Sequence, residues 1–200
     1  MKLTSRRMVC ELGLALACGI FVLWTPSLSV TQIPSEKASE PHQMILTKDG
    51  FLAIDLPKGW SQSEGPGLAF FLPEGVDASQ SNVWIYINSA PVGPKEDDKD
   101  LNSYINSDIG GFKQRFKNGF VRKEEDLLLP AMKQRVSVYT FQSGEINNSF
   151  EQVIYIPDAG RALILDLSAK NSDAFKGSLS VFHEFAKSYR GGIQMGSPEK

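Results

Sequence analysis

The stretch Gly50–Trp60, GFLAIDLPKGW, decides how the rest of the chain is read. Leu52, Ile54 and Leu56 alternate onto one face, the period-two pattern of a half-buried strand over Phe51–Leu56. Pro57 ends the ladder because it has no backbone N–H to donate. Lys58-Gly59 turns the chain, and Trp60 is placed to close one end of the core. Just upstream, Asp49-Gly50 is a hairpin-turn signal because glycine accepts positive φ. Met44–Thr47 is therefore expected to pair back as a short first strand.

Downstream the same logic gives more strands and two helices. Leu68–Leu72 (LAFFL) and Val83–Asn88 (VWIYIN) read as strands bounded by Gly and Pro. Residues 90–100 form a loop with two prolines and a charge cluster. Leu101, Tyr104, Ile105, Ile109, Phe112 and Phe116 recur at spacings of three and four, which predicts a helix from Leu101 to about Asn118. Asp100 can cap it, and Gly110-Gly111 inside it suggests a kink or close packing on the sheet. Gly119–Leu129 reads as a strand or extended connector stopped by Pro130. Gln134–Phe141, Phe150–Ile156 and Arg161–Ser168 read as an antiparallel meander. A second helix is expected over Asp173–Tyr189, capped by Asn171 or Ser172 and ended by Gly191-Gly192. The chain has no internal repeat.

The N-terminus has the order of a targeting signal. Lys2, Arg6 and Arg7 precede the apolar run Leu12–Trp24, and Ser27 and Ser29 suit the small positions before a cleavage point after Ser29. The run is shorter than the roughly 20 apolar residues of a spanning helix. An uncleaved anchor is one alternative. A lipoprotein modified at Cys18 is another, although Ala15 stands where leucine is usual. Ser5-Arg6-Arg7 starts like a twin-arginine signal, and Val9-Cys10-Glu11 departs from it. The expected organisation is a signal peptide over 1–29, a polar tether over 30–43 with Pro34 and Pro41, a folded domain over 44–190 and a loose tail over 191–200. Cleavage would remove Cys10 and Cys18, the two cysteines of the 200-residue chain, so the remaining domain would hold by its core alone. With 42% hydrophobic residues the chain can build that core. A formal net charge of −2 lacks the basic excess expected of a nucleic-acid binder.

The motif DGFLAIDLPKGW at 49–60 and the closing SLSVFHEFAKSYR at 178–190 resemble the PsbP-like superfamily, which includes PsbP and DcrB-type exported proteins. The resemblance spans about residues 44–190. It implies an α+β fold, an antiparallel sheet flanked by helices in an α/β/α sandwich. It also implies an accessory or binding role, and it carries over no catalytic set.

The residues themselves offer few chemical groups. His42 lies in the tether, and His183 follows Phe182 on the last helix. A metal site normally takes three or four converging ligands, so His183 is expected to be a half-exposed partner of Glu184. Ser61 and Ser63 follow Trp60 in what reads as a turn, where serine bonds backbone, and the chain has no Gly-x-Ser-x-Gly elbow. It has no dinucleotide or Walker motif. Glu96-Asp97-Asp98 with Asp100 could hold a divalent ion, or simply complement a helix start. Lys113, Arg115, Lys117, Arg122 and Lys123 form a basic group, read as a solvated helix end, with an anionic lipid or acidic partner as the alternative. Trp84 and Tyr86 lie opposite Val83, Ile85 and Ile87, as on a sheet covered on both faces. The alternative is a groove for an apolar ligand or a peptide, with Trp60 the third candidate. Asn147-Asn148-Ser149 matches a glycosylation acceptor.

No catalytic, cofactor-binding or metal residue is assigned. The expected protein is an exported, periplasmic or secreted, non-catalytic accessory or binding protein of the cell envelope. Its partner would be an envelope protein or an apolar ligand. It would associate with membrane only if the leader is retained or lipidated. The alternatives are an envelope hydrolase with an unrecognised site and a divalent-metal module on Asp97, Asp98 and Asp100.

Overall fold

The computed structural model divides the chain into units 1–38 and 39–200. It describes residues 44–47, 50–63, 69–93, 100–144 and 149–194, all in the second unit. The leader, the tether, Glu96-Asp97-Asp98 and Asn147-Asn148 lie outside the described residues. Among those described, no helix is long and apolar enough to cross a membrane.

The meander is the centre of the fold. Strands β8 (Gln134–Gln142), β9 (Phe150–Asp158) and β10 (Arg161–Ala169) pair in antiparallel order. Each is nine residues long, slightly beyond the bounds read from the sequence. β10 also pairs with β5 (Val83–Pro91), so it is an inner strand of an eight-stranded sheet. The order is completed by β3 (Trp60–Ser63) and β4 (Ala69–Pro73) beyond β5, and by β6 (Phe120–Lys123) beyond β8, with β7 (Leu127–Leu129) also on β8. The α+β class and the antiparallel sheet expected from the sequence are present.

Two helices cover opposite faces. α2 (Ser172–Lys187) packs Phe175, Phe182, Phe185 and Ala186 on the face bearing Leu163, Leu165 and Leu167, together with Ile154, Ile85 and Phe71. Its cap is Asn171, whose side chain accepts from the Ala174 N–H at 2.9 Å. α1 (Leu101–Arg115) packs Ile105 and Phe112 on the other face, against Ala162, Ile164, Val153, Tyr155 and Phe141. Asp100 caps it, accepting from the Ser103 N–H at 2.7 Å. The helix stops at Arg115, short of the expected Asn118. A Cβ placed on Gly110 or Gly111 would meet nothing within 4 Å, so close packing on the sheet is not why these glycines are there.

The opening stretch folds differently from its reading. β2 covers only Gly50–Ala53, paired with β1 (Met44–Thr47). Its pairing with β1 runs as far as Ala53, opposite Met44. Ile54–Leu56 leaves the strand before Pro57 is reached. Gly59 then takes φ +78° in a tight turn closed by Trp60 N–H to Pro57 O at 3.0 Å. Trp60 is 6% exposed and joins the core, as expected. It also opens strand β3, so Ser61 and Ser63 lie in a strand paired with β4 and not in a turn. The residues after Gly191 are not all loose either. β11 (Gly192–Gln194) pairs with β2 and completes a separate three-stranded sheet, β1-β2-β11.

Candidate functional site

The concave feature at the end of GFLAIDLP is a groove of about 470 Å³ between Asp55–Lys58 and α2. Leu56, Pro57, Val181 and Phe185 give it an apolar floor, and Lys58, Ser180 and Glu184 stand on its rim. Its volume falls in the range of small-ligand and peptide sites. The loop wall is tied to the helix end. The Asp55 N–H donates to Ser188 Oγ at 2.9 Å, and that hydroxyl donates to Phe185 O at 2.7 Å. Arg190 holds both Asp55 carboxylate oxygens, at 3.0 and 2.9 Å. Backbone bonds between Ala53 and residues 190–191 continue the seam. The groove therefore has preformed walls. The sequence shows no signal for it, because its two sides are about 125 residues apart.

His183 lies on the same helix but points elsewhere. It does not pair with Glu184, whose carboxylate takes Lys187 at 2.9 Å. Its Nε2 lies 2.7 Å from Gln152 Oε1, so the ring donates there. Gln152 in turn donates to Thr140 Oγ1 at 3.3 Å. Glu124 lies beyond, bonded by Thr140 and Arg122. Burial raises Glu124, and these hydrogen bonds outweigh it and hold the carboxyl below its ordinary value. Burial and the nearby Lys187 push His183 down. Among the described residues this is a chain of satisfied polar groups with a histidine at one end, and His183 meets an amide, not a nucleophile.

The opposite face carries a second cluster. Across the sheet Tyr86 stands opposite Asp166, and Trp84 opposite Ser168. Trp84 and Tyr86 are half-buried, not core, because α1 covers the β8–β10 side of this face. Phe70 packs beside Tyr86 with ring centres 6.2 Å apart, and Lys170 Nζ lies 5.0 Å over the Trp84 ring. Beneath α1, Tyr155 donates to Asp108 Oδ2 at 2.5 Å. Burial, then the charges of Glu151 and Asp108, pushes Asp166 well above the usual carboxylate range. Burial also raises Glu151, with Arg115 opposing and Asp108 adding.

The other sequence candidates disperse. Arg122 pairs with Glu124 and Lys123 with Asp126, so these two bases at the end of β6 are matched by acids that follow them in the chain. Arg115 stacks over Phe116 at 5.4 Å. Asp100 is spent on the α1 cap. Among the described residues no three His, Cys, Asp or Glu side chains are grouped to hold a metal ion.

No protein-family model matches the chain, and no curated protein does. Among solved structures it is similar to the solution structure of cyanobacterial PsbP (CyanoP) from Synechocystis sp. PCC 6803. The two share 17% identity over 74% of this chain and 91% of that one, with a TM-score of 0.44.

Proposed function

We propose that this chain is a non-catalytic accessory or binding protein, exported to the cell envelope, that takes an apolar side chain of an envelope protein into the groove between Asp55–Lys58 and α2. The groove itself carries the reading. Its floor is apolar, its rim bears both signs of charge, and its walls are tied together by Ser188 and Arg190. A preformed site loses little ordering entropy on binding. The leader supports export, and the likeness of the 49–60 and 178–190 motifs to exported PsbP and DcrB-type proteins agrees with it.

A photo-crosslinking residue placed at Ser180, on the groove rim, tests this in envelope extracts. The control position is Lys176, exposed one turn earlier on the same helix. The reading expects a discrete partner adduct from position 180 and none from 176. Equal labelling from both positions, or none from 180, would overturn it.

A further inference from the structure

Helix α1 rests on carboxyl groups as well as on hydrocarbon. Asp108 of α1 is bonded by Tyr155 of β9. Glu151 on β9 faces Ser168, and Asp166 on β10 faces Val153, so the two carboxyls are diagonal neighbours on the α1 side of one strand pair. Asp166 keeps some exposure as a residue, yet its Oδ1 is shut from solvent and has no hydrogen-bond partner. Among the described residues, the titratable groups that face this pair come from every neighbouring element. α1 supplies Asp108, Tyr104 and Arg115, and β9 supplies Tyr155 beside Glu151. β5 supplies Tyr86, and β8 supplies Tyr139, whose ring meets Tyr155 at 6.0 Å. The cation acting on this pair is Arg115, and it acts on Glu151 against the charge of Asp108.

Such a cluster is stable under a helix only while some of its carboxyls are neutral, because like charges in a poorly hydrated site repel strongly. Opening the helix restores water to them. We propose that α1 is a pH-sensitive strap, closed on the sheet while Glu151 and Asp166 hold protons between them and loosened as they ionise. The sign follows from linkage. Both groups have raised values in the closed state, so closure is favoured at acid pH and is lost as pH rises through those values. Loosening would uncover Ile105 and Phe112 together with their seat on Tyr155 and Phe141.

Amide hydrogen exchange on the full chain between pH 5 and pH 8, corrected for the intrinsic pH dependence, tests this. The α1 amides should lose protection relative to those of α2, by up to about tenfold per pH unit for each proton released on opening. Asp166→Asn should flatten that slope and keep α1 protected at pH 8. If that variant does not fold, Glu151→Gln serves in its place, and the slope of the unaltered chain decides by itself. Protection of α1 that is constant with pH, or that changes in step with α2, would overturn the proposal. So would an unchanged slope in the folded variant.

Discussion

Ser188 is one hydroxyl that joins two parts of the chain. Its oxygen accepts from the Asp55 N–H and its proton goes to Phe185 O, so the loop after β2 hangs on the last turn of α2. Ser188→Ala leaves that part-buried N–H without its partner, and about 1–2 kcal/mol of stability should go with it in urea unfolding. Asp55 and Arg190 keep their carboxylate–guanidinium pair in the variant, so the fold should survive with a loosened groove wall. Tyr189 makes a similar join, fully buried and donating to Asp158 Oδ2 at 2.6 Å. Tyr189→Phe should cost about 1.5–3 kcal/mol, since the hydrogen bond is to a charged group. None of this was legible in the sequence. A serine and a tyrosine after an apolar helix read as the end of a stripe, and their partners lie about 30 to 130 residues away.

At the level of elements the readable parts were those with strong local periodicity. The stripes Leu101–Phe116 and Phe175–Tyr189 are helical up to Arg115 and Lys187, with Asp100 as the expected first cap and Asn171, not Ser172, as the second. The three alternating runs after Pro130 became the meander. Elements fixed by their pairing partners and not by their own periodicity are the ones the sequence does not show. Ser61–Ser63 has no apolar alternation, and it is a strand because β4 pairs with it. Gly191-Gly192 reads as a helix stop, yet Gly192 opens β11. A Cβ there would come within 3.1 Å of both Asp158 Oδ2 and Leu52 Cδ2, so glycine fits because the sheet closes tightly at that point. Gly110 and Gly111 show the reverse. Nothing lies near either Cβ position, so alanine at each should stabilise the chain by about 0.5–1 kcal/mol through helix propensity. Thermal unfolding of the double variant checks this, and a lowered midpoint would mean that the glycines serve a bend in α1.

For the whole molecule, two opposed titrations contribute to the response to pH. His183 has a depressed value in the fold, so its contribution is in place above its ordinary value of about 6.5 and is lost as pH falls through the folded value. Glu151 and Asp166 work the other way, favouring the fold at acid pH and losing that contribution as pH rises. His183→Gln, which keeps a donor for Gln152, should flatten the acid side of a stability–pH profile measured by urea unfolding. An unchanged acid limb would show that His183 does not report on folding. Asp55–Lys58 forms one wall of the groove and α2 the other, so a partner seated there touches both. The most direct measurement is amide chemical-shift mapping of the labelled domain against the envelope protein captured through position 180. Docking in the groove predicts shifts confined to residues 55–58 and 180–188, with α1 unmoved. Shifts concentrated on α1 or β6, with the groove silent, would contradict it.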